Sequence, residues 1–390
     1  MPRSAGSLRR VGMIPAGRER RLKSTHRGQN PADQAGTAFL ELRPTMATLE
    51  QLLAIARNTL FESIRQPVLL VVLLACGILV VLSNPFSAYT LTDDQRMFVD
   101  IGLSTIFIGG AVLAAFVATN VLTREIDNRT VLTVVSKPVP RPIFVLGKFL
   151  GVAGAQTIVM VFLAVLFMLV EIHGVREAVA DPWHLPVILL GSGAVLLGAA
   201  AGIWCNFFYG WVFSSTFIVL TTPLLVMAYG LCLILGPDFT PQPAYRAFQG
   251  DLWVAVLVLF IGEYVLTAIA LAASTRLGQV LTLVTTIGFF ILGLLSDWIF
   301  GRRLARLDEI TTGIIDAGGS PDFTMQTEQF LLKIAYSVVP NFQVFWLADA
   351  ITQKASIPVD YLATTIPYGL AMILVALSLA VILFQRREVG

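Results

Sequence analysis

Eight stretches of about 20 mostly apolar residues constrain this 390-residue chain more than any other feature. A helix of that length crosses roughly 30 Å of hydrocarbon. Apolar residues make up 56% of the chain and charged residues 13%, which excludes an ordinary soluble globule. The sequence therefore predicts an all-α fold, a polytopic bundle of eight transmembrane helices. The predicted spans are 68–83, 99–122, 148–172, 185–205, 211–236, 252–273, 279–300 and 361–384.

The chain before the first span divides into two parts. Residues 1–45 are basic, contain Gly, Ser and Pro, and lack the apolar stretch of a signal peptide, so we expect a disordered tail. The composition changes at Met46, where we expect translation to begin naturally; the alternative is a basic arm that touches anionic lipid. Residues 46–67 follow as an amphipathic, interfacial entry helix whose apolar face comprises Leu49, Leu52, Leu53, Ala56, Leu60 and Ile64.

The distribution of basic residues predicts the orientation. With a cytoplasmic N-terminus, the inner segments after Met46 contain ten Lys or Arg and the short outer loops contain three. Positive residues concentrate on the cytoplasmic side, so both termini are predicted to be cytoplasmic. The membrane bundle then comprises residues 68–300. An outer loop follows at 301–360, and residues 361–390 form the last span and the cytoplasmic end.

Several kinds of chemistry find no support in the sequence. The three histidines are His26, His173 and His184, too few and too scattered for a metal site. Pro142 stands where the first glycine of a phosphate-binding loop ending at Gly147-Lys148 is required, so no nucleotide-binding motif is present. No basic stripe with interleaved aromatics favours a nucleic-acid partner. We therefore expect no enzymatic site, metal or cofactor in this chain.

Glu263 is the one deeply placed ionisable residue of the predicted spans. Intramembrane carboxylates often mark ion or substrate pathways. The alternative is a protonated or hydrogen-bonded glutamate with a structural role inside the bundle.

The loop between the second and third spans, 123–148, has the most distinctive pattern. Its first part suits a short helix in which Leu132 is an apolar contact, and Pro138, Pro140 and Pro142 then favour an extended segment. A short helix on a stiff connection suits docking to a cytosolic partner. The alternative is an ordinary charged inner loop.

This loop resembles that of type-2 (ABC-2) permease subunits of ATP-binding-cassette transporters. In these permeases the loop contains, in order, a Glu, a basic residue followed by Thr, a Pro, a second basic residue and a Gly-Lys pair. The matching residues in this chain are Glu125, Arg129, Thr130, Pro138, Arg141, Gly147 and Lys148. Similarity extends over about 46–390, with further matches at Ala56–Thr59, Glu62, Arg65, Ala273–Arg276, Pro340–Phe342 and Phe384–Glu388.

The resemblance implies a permease half-unit of an exporter in a cell membrane, a bacterial inner membrane being expected. It would pair with a second copy or a related permease, and a separate cytosolic ATPase would bind ATP and Mg²⁺ and contact 123–148 as a coupling helix. The chain departs from the family in having eight spans instead of six and Asn128-Arg129-Thr130 instead of the commoner Gly-Thr form. Two alternatives stay open: an ATPase-linked membrane anchor without transport, and an ion-coupled secondary transporter.

The outer loop contains an amphipathic helical pattern, with Phe330, Leu331, Ile334 and Val338 on one face. The aromatic segment 340–346 follows it and suits an interfacial belt. We interpret the region as a cap resting on the lipid headgroups, with a lid over the translocation path as the alternative.

Overall fold

The protein is all-α, as predicted. The computed structural model describes residues 31–89, 94–127, 139–175, 182–353 and 355–385, with only the backbone described at 31–47 and 122–127. No strand occurs within these ranges, apart from an isolated bridge between Leu235 and Pro241. The helices are α1 Pro31–Ile64, α2 Pro67–Ser87, α3 Asp94–Asp127, α4 Arg141–His173, α5 Val187–Tyr209, α6 Phe213–Ile234, α7 Gly250–Ser274, α8 Gln279–Asp316, α9 Phe323–Val338, α10 Ala348–Thr352 and α11 Val359–Gln385.

Eight of the described helices, α2 to α8 and α11, are long and apolar enough to cross a membrane. Their positions agree with the eight predicted spans, which confirms a multi-pass membrane protein. α3 continues to Asp127, so the backbone of Glu125 belongs to this helix and not to a separate loop.

The described part of α1 extends from Pro31, the first described residue, to Ile64. Of the tail 1–45, for which disorder was expected, residues 1–30 lie outside the described residues and the backbone of 31–45 is helical. The chain divides into two units, Met1–Ala47 and Thr48–Gly390, and the contacts below belong to the second.

The core of the bundle surrounds α7. This helix packs against α3, α4, α8 and α11, and 72% of its most apolar stretch is buried. α5 packs mainly against α6, and α6 in turn packs against α4. The α5–α6 pair therefore joins the rest of the bundle chiefly through α4.

The seventh span is longer than predicted. α8 does not end at 300 but continues as helix to Asp316, through a π-helical turn at Asp297–Gly301. The predicted amphipathic stretch forms α9, which pairs with the second half of α8 through Arg303–Glu328 and through Lys333 Nζ, 3.4 Å from Asp308 Oδ1.

The aromatic segment after α9 is not an interfacial belt. Phe342 and Phe345 lie in a 3₁₀ turn, Phe342–Phe345, and both are 0% exposed. Phe342 packs on Phe107 of α3 and Phe290 of α8, and Phe345 stacks on Tyr368 of α11 at 6.1 Å between ring centroids. We call the turn Phe342–Phe345 the aromatic wedge. Three glycines make room for it, because a Cβ at Gly262, Gly293 or Gly369 would crowd these two rings.

Candidate functional site

The described part of the entry helix lies against the first half of α4. Gly147, Gly151 and Gly154 of α4 form a strip without side chains at helical spacing. A Cβ at Gly147 would lie 2.7 Å from Ile55, and one at Gly151 would lie 2.6 Å from the carbonyl oxygen of Ala56. The two backbones therefore approach as closely as glycine permits. We call this contact, between residues 52–62 and 147–154, the entry junction.

An ion pair closes the entry junction. The Lys148 ammonium is 3.9 Å from the Glu62 carboxylate, and only 3% of the Lys148 side chain is exposed. The same ammonium lies 5.7 Å from the centre of the Phe144 ring, within the range of a cation–π contact. A buried cation is costly unless it is paired, so Lys148 links the position of α4 to that of α1.

The last turn of α11 is held at the same end of the bundle. The Arg141 guanidinium donates to the carbonyl oxygen of Gln385 at 2.6 Å, and Arg276 Nε donates to that of Leu383 at 3.0 Å. Both guanidinium groups lie at the last described turn of α11, and cations are favoured near the C-terminal end of a helix. The Phe384 ring stacks on Phe144 at 5.5 Å between centroids.

Polar contacts join four further helix ends. Gln279 Nε2 donates to Asn120 Oδ1 at 2.8 Å, and Asn120 Nδ2 donates to Gln66 Oε1 at 3.4 Å. Ser214 Oγ also donates to the carbonyl oxygen of Arg65 at 3.4 Å. The start of α2, the end of α3 and the starts of α6 and α8 are thereby tied to the same end of the bundle, which we call the basal end.

The predicted coupling-loop residues are described only in part. Arg141, Gly147 and Lys148 lie on the first two turns of α4 and take part in the basal contacts. Arg129, Thr130, Leu132 and Pro138 lie outside the described residues. The backbone of Glu125 lies near the end of α3, and its side chain is not described. Their predicted role in binding a partner stays a prediction.

Glu263 lies in a separate polar cluster in the bundle core. Its side chain is 1% exposed, and its Oε2 accepts from Gln156 Nε2 of α4 at 3.2 Å. Gln156 Nε2 also donates to the Gly110 carbonyl oxygen at 3.2 Å, and Gln156 Oε1 accepts from Thr267 Oγ1 at 2.5 Å. Among the described residues, Glu263 Oε1 has no hydrogen-bond partner. The carboxyl group packs against Gly110, where a Cβ would overlap it.

Sequence reasoning missed the partners in both regions. Gln156 is separated from Glu263 by 107 residues, and Asn120 from Gln279 by 159. A polar side chain in an apolar span was the available signal for Gln156. The spacing of four and three between Gly147, Gly151 and Gly154 was the signal for the entry junction.

Neither region resembles a metal centre. Among the described residues, no group of three or more His, Cys, Asp or Glu side chains is placed to hold a metal ion.

Comparison with known proteins gives no assignment: no family model matches the chain, and no curated protein is significantly similar to it.

Proposed function

We propose that the chain is the membrane-spanning permease subunit of an ATP-driven exporter of the ABC-2 type. The observation that supports this most is the convergence of its family-like segments. The described parts of 56–65, 141–148, 273–276 and 384–385 meet at the basal end, although they lie up to about 330 residues apart in sequence. Alternating spans would place these ends on one face in any case, so the support lies in their direct contacts, Lys148 with Glu62, Arg141 with Gln385 and Arg276 with Leu383.

The basal contacts suit transmission of movement from a partner. The 123–148 segment connects the end of α3 to the start of α4, and α4 begins at Arg141, which holds α11. Seven residues later, Lys148 holds the entry helix. A force on this connection would reach α3, α4, α1 and α11 through a few close contacts. Since the sequence has no phosphate-binding loop, a separate ATPase that binds ATP and Mg²⁺ would supply that force.

The packing also supports an explanation for the two additional spans. α2, α3, α4, α7, α8 and α11 would be the six-helix core of the family, and α5–α6 the elaboration, because α5 packs mainly on α6. The partners would be a second copy or a related permease, membrane lipid and the cytosolic ATPase. The basal end would face the cytoplasm, in a bacterial inner membrane.

One observation favours a second candidate, an ion-coupled secondary transporter. Glu263 combines full burial with a carboxylate oxygen that lacks a hydrogen-bond partner, the kind of group that can exchange a proton or cation. This function would need no ATPase, so the same experiment separates the two candidates.

The test begins with purification of the tagged chain from its native membranes. We expect an ATPase to co-purify and the complex to hydrolyse ATP. Glu125→Ala should lower ATP-dependent transport in inverted vesicles with the ATPase still bound, and Leu132→Asp should abolish its binding. Glu309→Ala, an exposed acid on the outer half of α8, is the matched control and should change neither. Normal transport in both loop variants with the ATPase bound would refute the coupling role, and ATP-independent transport would favour the ion-coupled carrier.

A further inference from the structure

The connection between α5 and α6 carries a cluster of exposed aromatic side chains. Five aromatic residues of this short segment are each more than half exposed: Trp204, Phe207, Phe208, Tyr209 and Trp211. Their rings contact one another, with 4.1 Å between the centroids of Trp204 and Phe208 and 5.9 Å between those of Tyr209 and Trp211. We call residues 204–211 the hairpin cluster. Large aromatic side chains exposed together in this way indicate an interaction surface.

The backbone of the hairpin cluster is fixed by a helix cap. Gly210 has a φ of 66°, in the left-handed region that glycine adopts without strain, and its N–H donates to the carbonyl oxygen of Asn206 at 3.1 Å. The Asn206 side chain donates from Nδ2 to the carbonyl oxygen of Trp211 at 2.6 Å. The rings are therefore presented by a turn whose conformation is set within the hairpin itself.

The lengths of α5 and α6 place the hairpin cluster at the edge of the hydrocarbon. α5 has 23 residues and α6 has 22, so each helix measures about 33–35 Å at about 1.5 Å per residue. The hydrocarbon core of a bilayer is about 30 Å thick, so the connection between the two helices lies where the hydrocarbon meets the headgroups. This is the basal end, because Ser214 in the first turn of α6 donates to the carbonyl oxygen of Arg65 at 3.4 Å.

The residue types of this hairpin suit the interface. The sequence from 182 to 237 contains no Asp, Glu, Lys or Arg, whereas cations stand at other basal helix ends, Arg141 and Lys148 on α4 and Arg276 after α7. Trp and Tyr concentrate at membrane interfaces because each combines an apolar ring with a polar N–H or O–H group. Interfacial Trp and Tyr fix the position of a span as Lys and Arg do. The two Trp and one Tyr of the hairpin cluster can therefore do this for a hairpin that has no cation.

We propose that the hairpin cluster binds the membrane–water interface at the basal end and anchors α5 and α6 at a fixed depth. Its rings lie among the glycerol groups and upper acyl chains of the lipids, and the indole N–H and phenol O–H groups donate to ester and phosphate oxygens. The occupant is the bilayer, because the two spans that end in the cluster place it at the level of the headgroups. The proposal goes beyond the permease function and does not depend on it.

Quenching by brominated lipids tests the position of Trp211. The full chain with Trp211 as its sole tryptophan, the other five replaced by Phe, is placed in nanodiscs of phosphatidylcholine brominated either near the head or near the end of the acyl chains. We expect the shallow bromine to quench Trp211 at least twice as strongly as the deep bromine. The matched control keeps Trp253 alone, whose indole donates to the buried Tyr229 hydroxyl at 2.9 Å. The shallow bromine should quench it at least twofold less than it quenches Trp211.

A second measurement keeps every tryptophan and so does not depend on the folding of the substituted chain. Cys205 lies within the hairpin cluster and is partly exposed, so a nitroxide can be attached to it after Cys76→Ala and Cys232→Ala. The collision rates of this nitroxide with oxygen, which concentrates in the bilayer, and with a water-soluble nickel complex report its depth. We expect a ratio of the two rates typical of the headgroup level.

Paired variants then test the anchoring itself. Tyr209→Ala combined with Trp211→Ala should change the ratio of the two collision rates at least threefold, because the hairpin is no longer held at one depth. Leu196→Ala combined with Leu197→Ala is the matched control, since it removes two similarly exposed side chains of α5 outside the cluster. The control should leave the ratio unchanged.

Several results would overturn the proposal. If neither lipid quenches Trp211, the hairpin cluster is covered by protein, and quenching that appears on deletion of residues 2–45 would identify the N-terminal tail as the cover. Stronger quenching by the deep bromine would place the cluster in the hydrocarbon. Equal nitroxide ratios in the two double variants would refute the anchoring. None of these results requires an ATPase, so each would leave the permease function untouched.

Discussion

The entry junction allows a quantitative test of the link between α1 and α4. Gly151→Ala places a methyl group 2.6 Å from the carbonyl oxygen of Ala56, which is backbone and cannot rotate away. Gly154→Ala is the matched control, because the atoms it meets belong to the Leu60 side chain, which can adjust. Overpacking of this kind costs about 1–3 kcal/mol. If the rest of the bundle is unchanged, this cost destabilises the docked state of α1. The population of molecules with α1 undocked then rises roughly 5- to 150-fold.

A buried serine of the entry helix reports on this equilibrium. Ser63 is 0% exposed, so Ser63→Cys, in a background lacking Cys76, Cys205 and Cys232, should react with N-ethylmaleimide only when α1 undocks. The labelling rate should rise about 5- to 150-fold with Gly151→Ala and little with Gly154→Ala. Equal rates in the two variants would refute the close backbone contact as the element that holds α1.

Three further predictions concern the topology, the wedge and the core cluster. Single cysteines at Ser320 and Ser356 should react with an impermeant reagent added from outside, and labelling only after permeabilisation would contradict the proposed orientation. Phe342→Ala should destabilise the protein by about 3–5 kcal/mol, measured as a lower unfolding temperature, whereas Phe330→Ala, 63% exposed on α9, should have little effect. Glu263→Gln should preserve the unfolding temperature because it keeps the side-chain shape and a hydrogen bond to Gln156, and Glu263→Ala should lower it by leaving a cavity; equal effects would contradict the packing role.

The positions of the spans could be predicted because membrane insertion depends on the apolar content of about 20 consecutive residues. The end of α8 could not, since Arg302 and Arg303 are typical of the end of a span. The helix instead leaves the apolar stretch and continues, with Arg303 paired to Glu328.

Long-range packing explains the other differences. Buried aromatic residues and interfacial aromatic residues look alike in sequence. The burial of Phe342 and Phe345 could not be predicted because it depends on glycines in α7, α8 and α11 that only the fold brings together. Glu263 was recognisable as unusual from its position in an apolar span. Its contacts with Gln156 and Gly110 depend on the packing of three helices and could not be read from any one of them.

The unbroken length of α8 has a mechanical consequence. At about 1.5 Å per residue its 38 residues measure about 57 Å, while a bilayer with its headgroups is about 40–45 Å thick. The helix is therefore a lever whose shorter arm, Arg302–Asp316, extends about 22 Å and is braced by α9 through Lys333 and Asp308. A tilt of about 10° within the bundle would move the tip of that arm by about 4 Å. The distance between spin labels on the tip and on α2 would therefore change measurably when the helix tilts. The tilt itself would be too small to resolve among the packed spans.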